Sequence, residues 1–190
     1  MRSRLKLALM LVAAGVFGVI AVAVASRGSD HHVSEDLSGY EEVPTLSTSG
    51  EGEFRAKFDR RDEEIDWKLE YEDLEGAVAQ AHIHLGAAAT NGGISVFLCS
   101  NLGNGPEGTQ ECPEQPAKIR GTIEPEDVIG PADQGIDPGE FDELVDAMKA
   151  GVTYVNVHTD MYPAGEIRAQ LAVDRDRDRD RGRDRRHWRH

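Results

Sequence analysis

Cysteine is almost missing from this chain: Cys99 and Cys112 are the whole supply among 190 residues. Two lone thiols make a poor metal site. An even count in an exported chain fits a disulfide, here closing a loop rich in Gly, Asn and Pro and contributing about 3 kcal/mol. Positive charge is scarce in the body. Arg2, Arg4, Lys6 and Arg27 give +4 at the start, and eight Arg against five Asp from Asp174 onward give +3, so residues 28–173 carry −21 of the formal net charge of −14. Such a body repels nucleic acid and anionic lipid, and reads first as a solubilising acidic coat. No Ser or Thr sits at a strand-to-helix elbow, and no glycine-rich phosphate loop precedes a helix. Asp and Glu are too dense for any pair to stand out as acid and base, so no enzymatic activity is expected.

Only one long hydrophobic run exists, Leu7–Ala25, preceded by basic residues and ending in Ala23-Val24-Ala25. The layout is that of a secretory signal peptide over residues 1–25, or of an uncleaved membrane anchor. Membrane contact is expected only in the second case, and the rest of the chain lies outside the cytoplasm in both. Residues 26–34 read as a flexible lead-in. Residues 174–190 are Asp-Arg repeats without aliphatic residues, and cannot bury a core.

Between these ends, period-2 alternation dominates. Phe54, Ala56 and Phe58 alternate with charged residues, and so do Ile65, Trp67, Leu69 and Tyr71. One wet face per strand implies antiparallel sheet. Further strands are expected at Leu37–Val43, Ala79–Leu85, Ile94–Cys99, Ala117–Ile123, Val152–His158 and Ala164–Val173. One short helix, from Asp137 to about Ala150, has the stripe Phe141, Leu144, Val145 and Met148. The expected fold is all-β: an antiparallel β-sandwich or Greek-key-like barrel of about eight strands with one short helix.

Three strands carry histidine or its neighbours in their polar rows: Gln80, His82 and His84; Tyr154, Asn156 and His158; Glu166, Arg168 and Gln170. If their apolar rows share a core, these polar rows emerge on a common outer surface. Two readings follow. A His-x-His pair closed by a third His is a copper or zinc geometry, with water or an acid such as Asp160 or Glu166 as fourth ligand. Alternatively His82, His84, Asn156, His158, Glu166 and Arg168 form a polar network that fixes strand register, with Glu166 and Arg168 ion-paired to each other or a neighbour.

Leu37-Ser38-Gly39-Tyr40-Glu41-Glu42-Val43-Pro44, Ala81-His82-Ile83-His84, Tyr154-Val155-Asn156-Val157-His158-Thr159 and Pro163-Ala164-Gly165-Glu166-Ile167-Arg168 occur in that order. Together they resemble the CHRD domain, the repeated module of the extracellular protein chordin that also occurs singly in exported microbial proteins. The resemblance covers about residues 35–173, and Ala169 departs from the family's usual Gly. It implies a β-sandwich-like binding or structural module outside the cell, secreted, at the cell surface or periplasmic. The expected partner is an extracellular protein or envelope polymer. The histidine layout is also broadly similar to that of copper–zinc superoxide dismutases, but without a second His group dismutase chemistry is not expected.

Overall fold

The computed structural model describes residues 31–59 and 63–174. The expected signal segment lies outside them, as do the lead-in up to residue 30 and the tail from residue 175. Among the described residues, eight strands, β1 (His32–Ser38), β2 (Glu51–Phe58), β3 (Ile65–Glu72), β4 (Val78–Leu85), β5 (Ile94–Ser100), β6 (Ala117–Ile123), β7 (Thr153–Thr159) and β8 (Ile167–Gln170), form one sheet, accompanied by one α-helix, α1 (Phe141–Lys149). The strand order is β5-β4-β7-β8-β1-β2-β3-β6, and every pairing is antiparallel. The sheet curls into a nearly closed barrel, the architecture its alternating strands imply.

The inward rows are those the alternation marks. Phe54, Phe58, Ile65, Leu69, Ile83, Val155, Val157 and Ile167 are all fully buried in one apolar core, each large side chain stabilising the fold by roughly 1.5–3 kcal/mol. Phe141, Leu144, Val145 and Met148 of α1 join the same core. The edge strands β5 and β6 are bridged by the connection between them. Gln110 donates its side-chain amide to the carbonyls of Leu98, 3.1 Å, and Arg120, 3.3 Å, and Cys99 is disulfide-bonded to Cys112 in the same connection. A Cys99→Ser/Cys112→Ser variant should lose about 3 kcal/mol through the freed loop entropy. Urea unfolding of the two proteins measures it, and an unchanged midpoint would contradict the estimate.

Three boundaries differ from the sequence expectation. The first strand runs from His32 to Ser38 rather than from Leu37 to Val43, so part of the expected lead-in is sheet. It pairs with β2 along its whole length, from His32 opposite Lys57 to Ser38 opposite Glu51, and Val33 is buried. Glu35, in the same inward row, hid the pattern. The helix starts at Phe141 rather than Asp137, because Gly139 takes φ +87°, outside the right-handed helical region. Strand β8 is only four residues long, since a turn closed by Gly165 N–H donating to the Tyr162 carbonyl, 3.0 Å, occupies the preceding residues.

Candidate metal centre

Register sets the site. His82 lies opposite Phe97 of β5 and Asn156 of β7, and Asn156 lies opposite Arg168 of β8, so one row crosses four strands. The next row has His84 opposite Tyr154, and Tyr154 opposite Gln170. On the other side, Gln80 lies opposite His158. Directly opposed residues on one face sit within side-chain contact. His82, His84 and His158 therefore converge, each offering one ring nitrogen within 4.8 Å of the others.

The surface carrying them is not outer, which corrects the sequence expectation. His82, His84, Asn156, His158, Glu166 and Arg168 are all buried, because three connections fold back over this face of the sheet. The β4–β5 connection lies on Arg168, which donates to the Thr90 carbonyl at 2.9 Å and to Asn91 Oδ1 at 3.4 Å. Asn91 in turn donates to the Val43 carbonyl in the β1–β2 connection, 3.2 Å. The β7–β8 connection supplies the Pro163 carbonyl to His158. His32 stands apart, exposed, 3.6 Å from Asp174.

These contacts define the tautomers. His84 Nδ1 is 3.0 Å from the Gly92 carbonyl and His158 Nδ1 is 3.0 Å from the Pro163 carbonyl. A carbonyl only accepts, so both Nδ1 atoms carry the proton and both Nε2 atoms are bare in the neutral rings. His158 Nε2 is 3.1 Å from His82 Nδ1, so His82 Nδ1 must be the donor, and its Nε2 is bare as well. Backbone carbonyls that fix Nδ1–H and leave Nε2 free are the usual outer partners of metal-binding histidines. Gly92 is placed for this contact as no other residue could be: a Cβ there would lie 1.6 Å from the Leu85 carbonyl oxygen.

Burial keeps the rings neutral. It pushes His82 down to about 2, helped by the neighbouring His158 and His84. It pushes His84 down to about 4, against the opposing effect of the Gly92 hydrogen bond. His158 is lowered for the same reason, against its bond to Pro163. The walls are aromatic. Phe97 meets His82 edge-on with centroids 4.3 Å apart, and Tyr154 stacks on His84 at 4.7 Å. Arg168 lies over the Tyr154 ring, 3.4 Å from its centroid.

The two carboxylates expected as a fourth ligand stand outside the cluster. Asp160 accepts from Ala77 N–H at 2.8 Å. Glu166 accepts from the Thr48 and Thr159 hydroxyls, 2.8 and 2.7 Å, and from the backbone N–H groups of Glu75 and Gly76, 2.6 and 3.3 Å. Nor does Glu166 pair with Arg168, whose nearby acid is Glu42. Glu42 is the residue that sequence reasoning missed. It is buried in the β1–β2 connection, where no periodicity marks a side chain's direction. Burial pushes its carboxyl up to about 7, against the pull of Arg168 and of the Val43 backbone and Asn156 side chain beside it.

The described residues thus form a disulfide-tied antiparallel barrel with a buried three-histidine cluster. The family model for the CHRD domain matches residues 33–171, and the chain belongs to that family, whose domains are typically extracellular. Neither the curated proteins nor the solved structures contain a match to this chain. Among the described residues, no helix is long and apolar enough to cross a membrane.

Proposed function

We propose that this chain is an exported CHRD module that binds copper or zinc through His82, His84 and His158. One observation carries the reading: the Nε2 atoms of His82 and His84 are buried with no hydrogen-bond partner. An unpartnered buried acceptor costs on the order of 1–3 kcal/mol, and a cation shared between the rings removes that cost. Three imidazole nitrogens suit Cu²⁺ or Zn²⁺. Ligand atoms bound tetrahedrally at 2.0–2.1 Å lie about 3.4 Å apart, so rings whose nitrogens lie within 4.8 Å need to draw in by roughly 1 Å. The His82–His158 hydrogen bond is the contact an ion has to displace. Because the rings are already neutral at pH 7, binding has no proton to compete with there. Export is supported by the family, by the Cys99–Cys112 bridge and by the apolar leader in the sequence. The partner of such a module is an extracellular protein or an envelope polymer.

Calorimetric titration of the purified protein with Zn²⁺ and Cu²⁺ tests the site. Micromolar, near-stoichiometric binding is expected from the wild type and none from a His82→Ala/His84→Ala variant. Absence of binding by the folded wild type would refute the metal reading and leave a structural hydrogen-bond network.

A further inference from the structure

The proposed site has three nitrogen donors, and a fourth group faces them. We infer that the side-chain carbonyl of Asn156 is the metal's fourth ligand, held in place by Glu42. This rests on the metal-binding reading and extends it to two residues.

Asn156 sits directly opposite His82 in the sheet, and its side chain approaches His84. Its Oδ1 is buried without a hydrogen-bond partner. His84 spends its only N–H on the Gly92 carbonyl, so the ring offers Asn156 a lone pair and not a proton. Three buried acceptors with no donor, His82 Nε2, His84 Nε2 and Asn156 Oδ1, therefore lie on neighbouring positions of one sheet face. Lone pairs of that kind repel one another unless a cation or a donor lies among them.

Turning the Asn156 amide over does not relieve the conflict. Its NH₂ group lies beside the Glu42 carboxyl, whose Oε1 is itself buried without a partner, so with that carboxyl ionised a flipped amide would set oxygen against oxygen. The two groups share one crowded spot: a Cβ on Gly165 would lie 2.4 Å from Glu42 Oε1 and 2.7 Å from Asn156 Nδ2. Glu42 thus aims the Asn156 oxygen at the histidines, and Arg168 supplies the nearby positive charge that balances Glu42. Glu42 itself is not among the groups that converge, so it acts as a positioning residue and not as a ligand. An outer carboxylate orienting a neutral ligand is the ordinary supporting arrangement of a metal site. An amide oxygen is a hard donor. With three imidazoles it favours a four-coordinate divalent ion, Zn²⁺ or Cu²⁺, over Cu⁺.

The test uses the purified full chain, with Zn²⁺ for affinity and Co²⁺ as a spectroscopic probe. Asn156→Leu should lower Zn²⁺ affinity 10–100-fold and change the visible Co²⁺ bands, with far-UV circular dichroism reporting that the fold is kept. Glu42→Ala should weaken binding and alter the same bands, and Glu42→Gln, which keeps an acceptor for the Asn156 amide, should restore both. In the wild type loaded with Co²⁺, the Asn156 side-chain amide resonances should be strongly hyperfine-shifted, a readout independent of whether any variant folds. If Asn156→Leu matches the wild type in affinity and spectrum, or the Asn156 resonances stay at their metal-free positions, Asn156 is not a ligand and the three-histidine site stands without it. A wild type that binds neither ion removes both proposals.

Discussion

Glu166→Ala should cost about 4–5 kcal/mol of stability, a large part of what a domain of this size has to lose. The fully buried carboxyl accepts four hydrogen bonds. They tie the start of β8 to Thr48 of the β1–β2 connection, to the β3–β4 connection at Glu75 and Gly76, and to Thr159 at the end of β7. Truncation leaves the two backbone N–H groups unpaired and sealed from water, at roughly 1–3 kcal/mol each, besides opening a cavity. The hydroxyls can turn to other acceptors, but the amides cannot. Glu166→Gln keeps one acceptor and should cost about half as much. Urea unfolding would show the loss as a lower midpoint with an unchanged slope. A drop below about 1 kcal/mol for Glu166→Ala would mean that these connections are held by other contacts.

The same residue shows where sequence reasoning stops. Ile65, Trp67, Leu69 and Tyr71 were legible as an inward row because period-2 alternation is a local signal, and the inward rows of β2, β4, β7 and β8 follow alike. That His82, His84 and Asn156 share a face is equally local. What alternation cannot report is whether the other face is wet. A polar residue facing water and one facing a folded-back connection read the same. Arg168 meets the Thr90 carbonyl across 78 positions, and Thr48 meets Glu166 across 118. Contacts of that length leave no periodic trace in the intervening chain. Spacing therefore groups Glu166 with Arg168, although its partners lie in the connections and at the end of β7. Glu42 sits in a turn with no period, and its burial becomes visible only once those connections are in place.

Stability of the metal-free protein should fall steeply between pH 6.5 and pH 4. His82 and His84 have folded-state values near 2 and 4 against an ordinary 6.5. In this window the unfolded chain binds protons that the folded chain refuses. Their contribution is thus complete above pH 6.5 and lost as pH falls towards the folded values. Each gives about 3 kcal/mol over the window, at about 1.4 kcal/mol per unit, and His158 acts in the same sense. Glu42 opposes them. Its folded value near 7 stands against an ordinary 4.5, so it contributes fully below pH 4.5 and loses about 3 kcal/mol as pH rises to 7. At pH 5.5 the two histidines outweigh the one carboxyl by roughly one proton, so stability should drop by at least about 1 kcal/mol per pH unit on acidification. Urea midpoints for protein stripped of metal, taken at pH 7, 6 and 5, measure that slope. In a His82→Leu/His84→Leu variant the Glu42 contribution has only His158 against it, so the slope should flatten or reverse. A wild-type profile that is level or rises towards pH 5 would mean that water or another donor reaches the rings, and that they are not sealed beneath the connections.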